Sequence, residues 1–200
     1  DLAAALEEIR GSGGDVDGVT GDVGNQQDVD RIVAAMLERY GSVDVLVNNA
    51  SILGPRDTIA NYPPAAWHEV LRINLTGVFL MTRAVLPTML KQKAGSIINV
   101  TSGVARRGRA RWGGYAVSKA GLEALTQVLA DEVGEGGIRV NCVNPAATRT
   151  AMRAQAYPAE DPLTLPAPDE IMPVFVHLAS DASASVNGQS LEARDWLNPK

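Results

Sequence analysis

Apolar residues recur along this chain with two alternating periods. Leu2, Leu6 and Ile9 keep helical spacing, and Gly11 closes that segment. The stretch DVDGVTGDV (15–23) reads as a short strand running into Asp22. A second helix is predicted from Asn25. Its apolar positions Val29, Ile32, Val33, Met36, Leu37 and Tyr40 lie on one face, and Gly41 stops it. VDVLVNNA (43–50) is a continuous apolar run, as expected of a strand covered on both faces. Pro63 and Pro64 open a long helix to about Lys91, and SIINVTS (96–102) is a second buried strand. A helix from Gly114 to Val133 and a strand IRVNCVNPA (138–146) follow. After a proline-rich stretch (158–168), a helix at 169–180 and a short strand GQSLEA (188–193) complete the pattern.

Buried strands alternating with helices predict an α/β fold, a doubly wound parallel sheet in a Rossmann-like three-layer arrangement. With no internal repeat and no linker, residues 1–200 read as a single domain. Chemistry in such sheets gathers at the carboxyl ends of the strands. NNAS (48–51), TS (101–102) and NPAA (144–147) each end a strand, so all three are expected at one edge.

Composition narrows the class. Hydrophobic residues make up 46% and charged residues 20%, as in a globular protein. No uninterrupted apolar stretch of about 18 residues is present, so no membrane span is expected. A net charge of −5 argues against nucleic acid as a partner. The lone Cys142 lies in an apolar run and is expected as a buried thiol, which suits a reducing cytoplasm. The two histidines, His68 and His177, have no neighbours at ligand spacing, so no metal site is expected.

One short segment asks for a chemical explanation. GGYAVSKAG (113–121) sets Tyr115 and Lys119 one helical turn apart among small residues. A free phenol, with a pKa of about 10, is a poor base at neutral pH. An ammonium within about 4–6 Å favours the phenolate. Lowering the phenol by about three units takes about 4 kcal/mol. Small neighbours would let a ligand approach the helix. The plainer reading is a surface pair.

GDV (21–23), NNAS (48–51), RINLTG (72–77), GSIINVTS (95–102), YAVSK (115–119) and NPAATRT (144–150) together resemble the short-chain dehydrogenase/reductase family over nearly the whole chain. The resemblance implies NAD(P)-dependent hydride transfer between nicotinamide and a carbonyl/alcohol substrate, with Tyr115 as general acid/base. Ser102, Tyr115 and Lys119 look like the family's catalytic triad and Asn74 like its fourth member. In that picture Lys119 also meets the nicotinamide ribose, Ser102 donates to the substrate oxygen, and Asn74 holds a water that links Lys119 to solvent. Asp22, Val23, Asn48, Ala50, Tyr115, Lys119, Pro145 and Thr150 match positions bordering the cofactor. The long helices at 64–91 and 114–133 resemble those by which the family forms homodimers or homotetramers.

Plainer readings stand beside several of these positions. Thr101 competes with Ser102 but should face the other way while the strand continues. Asn74 can be a satisfied amide that braces its helix, Asn48 a strand-end turn former, and Asp22 a helix-entry acid. Arg106, Arg107, Arg109 and Arg111 with Trp112 form a charged loop. It is either a solvated surface or the clamp for an anionic substrate group.

The chain also departs from the family pattern. The glycine-rich phosphate turn, Gly-x-x-x-Gly-x-Gly after a first strand, is absent, and GSGGDVDGVTGDVG follows a helix instead. The fold is therefore expected to be N-terminally incomplete, with the choice between NAD and NADP unreadable. The alternative is a non-catalytic remnant that binds no dinucleotide. Pro145-Ala146 replaces the usual Pro-Gly, and GQSLEARDWLNPK replaces the usual Asp-Gly-Gly close. The short segment after Thr150 predicts an open pocket.

Overall fold

The structure, a computed structural model, describes residues 2–197. In chain order its elements are α1 (Leu2–Gly11), α2 (Gln26–Tyr40), β1 (Val45–Asn48), α3 (Pro64–Leu71), α4 (Gly77–Gln92) and β2 (Gly95–Val100). Then come α5 (Gly103–Arg106), α6 (Gly113–Val133), β3 (Ile138–Asn144), α7 (Ala151–Ala156), α8 (Met172–Ala179) and β4 (Ser190–Glu192). The four strands form one parallel sheet in the order β1-β2-β3-β4.

The central strands show why the apolar runs are continuous. Side chains alternate across a strand, and both sides here are covered. Ile97 packs with Val33, Val85, Met89, Leu129 and Val140 beneath α2, α4 and α6. Its neighbour Ile98 packs with Val143, Val174 and Leu178 beneath α8. Neither face of β2 meets water, so neither can afford a polar alternation.

Local signals set the helix ends. Asn25 caps α2 by accepting the N–H groups of Gln27 and Asp28, at 2.9 and 3.2 Å. Gly41 ends it in the left-handed region, φ 74°. The long helix begins at Pro64, where a missing N–H does no harm. It runs to Gln92, but residues Arg72–Thr76 form a π turn between α3 and α4. By length and apolar content this helix could cross a membrane. Its Val78, Thr82, Val85 and Met89 are instead buried in the fold.

A polar row crosses this otherwise apolar sheet. Asn48, Asn99 and Cys142 are register partners on β1, β2 and β3. Asn48 donates to the Asn99 side-chain oxygen at 2.8 Å and to Thr82 Oγ1 at 3.3 Å. Asn99 donates to Thr126 Oγ1 on α6 at 2.8 Å, and Thr126 meets the Cys142 sulfur at 3.1 Å. Sequence placed Cys142 in a buried strand, and it is buried there; desolvation pushes its thiol up to about 11. A slip of one residue would break every bond in this row, so the row pins the register.

The strand expected at 15–23 does not form. Its polar groups are satisfied locally instead. The Gly18 N–H turns to Asp17, the Gly24 N–H to Asp22, and the Asp22 N–H to Asp28. The Thr20 carbonyl accepts from Arg31 at 2.8 Å. Among the described residues β1 pairs only with β2, and Val47 on it is 46% exposed. The shorter terminal elements also end earlier than expected: β3 stops at Asn144 and β4 covers only Ser190–Glu192.

The polar row makes a stability prediction. Asn99→Leu should destabilise the fold by about 1–3 kcal/mol in urea denaturation, because it strips partners from two buried groups. The double variant Asn48→Leu/Asn99→Leu should recover part of that loss. A single variant as stable as the parent would show that the row contributes nothing.

Candidate active site

Parallel pairing brings the carboxyl ends of β1, β2 and β3 to one edge, as the strand-end motifs required. A cleft of about 590 Å³ opens there. Its walls include Val100 and Ser102 after β2, Trp112 and Tyr115 at the start of α6, and Asn144, Pro145 and Ala146 after β3. The floor is mostly apolar, with polar groups confined to the strand ends.

Tyr115 and Lys119 lie on the inner face of α6 and are 9% and 3% exposed, so the surface-pair reading is excluded. The Lys119 ammonium sits 5.6 Å from the centroid of the Tyr115 ring. It donates to the Val100 carbonyl, the last of β2, at 2.7 Å. Burial pulls this lysine down to about 8. The Tyr115 phenol is hydrogen-bonded to the Ser102 side chain, which lowers its pKa, but burial raises it more. The net direction is upward, opposite to the lowering expected from the adjacent cation. In this state the desolvated phenol keeps its proton.

Ser102 and Thr101 separate as the end of the strand dictates. β2 ends at Val100, and Ser102 is in an extended conformation facing the cleft. Thr101 gives its hydroxyl hydrogen to Glu123 at 3.1 Å.

Asn74 sits within the π turn and is fully buried. Its amide donates to the Ile52 carbonyl at 2.9 Å and to Ser118 Oγ at 3.2 Å, and its oxygen accepts from the Ile52 N–H at 2.8 Å. Ser118 lies between Tyr115 and Lys119 in sequence, so Asn74 ties the loop after β1 to the helix that carries both. These bonds match the bracing reading. A π turn in a long helix often marks a functional position.

The expected cofactor positions fall into two groups. Pro145, with Tyr115 and Thr150, lines the main cleft. Asn144 accepts the Ala146 N–H at 3.0 Å, which shapes the turn, and Ala146 sits at φ 58°. That left-handed conformation is the reason glycine suits this place better than alanine. Thr150 also caps α7 by accepting the Arg153 N–H. Val23, Asn48 and Ala50 line a separate pocket of about 70 Å³ with Gly77. A Cβ on Gly77 would come within 3.2 Å of the Val23 backbone, so the close approach needs glycine. The Asn48 side chain is spent inside the sheet. Asp22 accepts the Gly24 N–H and pairs with Arg72 at 2.8 Å.

The arginine loop is not one unit. Arg106 is a strut: it binds Glu192 at 2.8 Å and the Ser190 hydroxyl at 2.6 Å, and Glu192 in turn accepts from Asn144 at 2.7 Å. Arg107, Arg109 and Arg111 are exposed, and Arg111 has φ 67°. Trp112 is buried against Tyr115, with ring centroids 5.6 Å apart.

Sequence reasoning missed Arg56. Its guanidinium lies 4.4 Å from the Trp112 ring centroid and 5.0 Å from that of Tyr157, and it donates to the Ala156 carbonyl. A lone arginine in a loop carries no periodic signal. The segment after Thr150 was also underrated. Met152, Ala156, Ile171, Met172 and Phe175 wall one side of the cleft, so the cleft is partly covered rather than open.

Comparison with known proteins bears on the family and the fold. The short chain dehydrogenase family profile matches residues 1–161. An uncharacterized oxidoreductase, YciK, of Escherichia coli is 42% identical over 160 residues, covering 80% of this chain and 63% of that protein. A 3-oxoacyl-[acyl-carrier-protein] reductase of Synechocystis is 37% identical, covering 94% of this chain and 78% of its own length. The chain thus spans just under two thirds of the first of these relatives. A crystal structure of a short chain dehydrogenase from Salmonella enterica superposes with a TM-score of 0.91 at 36% identity, covering 96% of this chain and 80% of that one. A Shigella flexneri short chain dehydrogenase in complex with NADP superposes with a TM-score of 0.88 at 37% identity, covering 96% and 82%. The chain belongs to the short-chain dehydrogenase family.

Proposed function

We propose that this protein is an NAD(P)-dependent oxidoreductase acting on a carbonyl/alcohol pair, with Tyr115 as the proton donor and acceptor. One observation carries the reading: a phenol and a hydroxyl meet on the wall of a single cleft, with a buried ammonium 5.6 Å from the centroid of the phenol ring. The relatives named as oxidoreductases, and the neighbour solved with NADP, support it.

The site fits the reacting half of a dinucleotide. An ammonium has three donors, and Lys119 spends one on Val100, which leaves others for ribose hydroxyls. Pro145, Ala146 and Thr150 would flank the nicotinamide, while Val23, Asn48 and Ala50 would border the other end. No glycine-rich turn that could cradle the pyrophosphate exists among the described residues. When bound, the nicotinamide supplies or takes up the hydride.

The chain's own groups handle the oxygen. Ser102 orients the substrate oxygen and the phenol. Tyr115, held protonated by burial, gives its proton to the oxygen as a carbonyl is reduced. The neighbouring Lys119 ammonium stabilises the phenolate that remains. Asn74 positions the helix through Ser118. In the oxidative direction the phenolate takes the proton back. Homodimer or homotetramer assembly through the α4 and α6 faces completes the proposal.

Three outcomes follow for the full chain. A panel of aldehydes, ketones and sugars assayed with NADH and NADPH should reveal turnover with at least one pair. Tyr115→Phe should lower kcat about 10²–10⁴-fold while nucleotide binding, followed by fluorescence, stays within about threefold; retained turnover would remove Tyr115 from the mechanism.

Lys119→Met should abolish turnover yet raise stability at pH 7. The folded lysine titrates near 8, below its ordinary 10.5. Burying the charged form therefore destabilises the fold below pH 8, and the penalty is relieved as pH rises from 8 to 10.5. Removing the charge should stabilise the fold by about 1–3 kcal/mol, and the gain in Tm should shrink toward pH 10. A loss of Tm at pH 7 would contradict this.

A further inference from the structure

Beside the main cleft lies a second pocket of about 470 Å³, and the two share Ser102, Trp112, Asn144, Ala146 and Arg153. The shared wall makes them neighbours with two chemical characters. The main cleft is apolar around Leu53, Met152 and Phe175. The second pocket instead carries Arg109, Arg153, Arg194 and a single acid, Glu160.

The charges do not cancel. Arg153 holds Glu160 through two hydrogen bonds, at 2.6 and 2.7 Å, so that pair is neutral. Arg109 and Arg194 have no salt-bridge partner within 4 Å among the described residues. Among the described residues the one side-chain hydrogen bond of Arg194 reaches the Ala147 carbonyl at 3.5 Å, a weak contact. Nearby arginines are committed: Arg106 to Glu192, and Arg56 to the Ala156 carbonyl and two aromatic faces. Two guanidinium groups with no ion-pair partner within 4 Å among the described residues thus line one pocket, Arg194 close enough to Glu160 to help lower the pKa of that carboxyl.

The wall behind them is a packed aromatic cluster. Trp112 is buried, its ring 6.0 Å from that of Tyr157, and the Arg153 guanidinium lies 3.8 Å from the centroid of Tyr157. The two guanidinium groups come from different parts of the chain, the loop before α6 and the turn after β4. Together they offer the forked donors that carboxylates and phosphates accept.

We propose that Arg109 and Arg194 bind a carboxylate or phosphate on the substrate, so that the preferred substrates are carbonyl compounds with an anionic group next to the reacting carbon's pocket. The inference rests on the oxidoreductase reading for its catalytic consequence, but not for binding itself. The sequence expectation drew the clamp from the arginine loop at 106–111 alone; Arg194, distant in the chain, was not part of it.

The test has two arms. In the first, turnover of levulinate is compared with that of its neutral methyl ester. The parent should prefer the acid in kcat/KM by at least about tenfold. The double variant Arg109→Gln/Arg194→Gln should lose about 10–100-fold on the acid, chiefly in KM, and stay within about twofold on the ester. Equal losses on both, or a parent with no preference for the acid, would overturn the proposal.

The second arm needs no turnover. Tyr115→Phe protein should bind levulinate and inorganic phosphate by calorimetry, and adding both arginine substitutions to it should abolish that binding. Binding of phosphate but not levulinate would assign the pocket to phosphorylated substrates. Failure of both anions to bind would overturn the pocket. Binding without any turnover by the parent would sink the oxidoreductase reading alone. Both arginines are exposed, so the variants should fold.

Discussion

The arrangement depends on a positive charge held where water is scarce. Lys119 is 3% exposed and hangs from the last carbonyl of β2 by a 2.7 Å hydrogen bond. Because that carbonyl ends a strand, the sheet fixes the ammonium. Because Tyr115 lies one turn earlier on α6, the same helix fixes the phenol beside it. Desolvation pushes the two groups toward their neutral forms, with the lysine at about 8 and the phenol raised. A phenol that keeps its proton until a charge forms beside it is suited to giving that proton to a developing alkoxide. In the proposed reaction the cation would lower the energy of the phenolate left behind.

The rest of the fold keeps that pair in place. The polar row Asn48–Asn99–Thr126 locks the strands to one another and to α6. Asn74 reaches out of its π turn to Ile52 and Ser118, so the loop after β1 cannot drift from the helix. On the far side Arg106 and Glu192 hold Asn144, and Asn144 holds the Ala146 turn. Each brace acts at a strand end, where the chain leaves the sheet and would otherwise be free. Local rules are broken here, with an asparagine inside a helix and an alanine at positive φ, as expected where geometry serves a site.

The core elements were legible because burial writes itself into sequence as period. The runs around Ile97–Ile98 and Val140–Val143 could belong only to strands covered on both faces. The Tyr115–Lys119 spacing was legible because helical geometry puts the two residues on one face. The strand expected at 15–23 was not foreseeable as coil, since β-branched Val16, Val19, Thr20 and Val23 favour extended backbone; whether such a segment pairs is decided by its neighbours. Arg194 and Arg56 were invisible for a related reason. Each acts through a contact with residues far away in sequence, and nothing near them signals the meeting. The direction of the Tyr115 shift also escaped, because depth of burial cannot be read from spacing.

The central claim concerns the state of one side chain, and heteronuclear NMR titration of Lys119 reads it directly. With the Lys119→Met protein used to assign the resonance, the account predicts a titration near pH 8. A value close to the ordinary 10.5 would mean that the ammonium is well solvated. The tuned phenol and the chemistry built on it would then have no physical support.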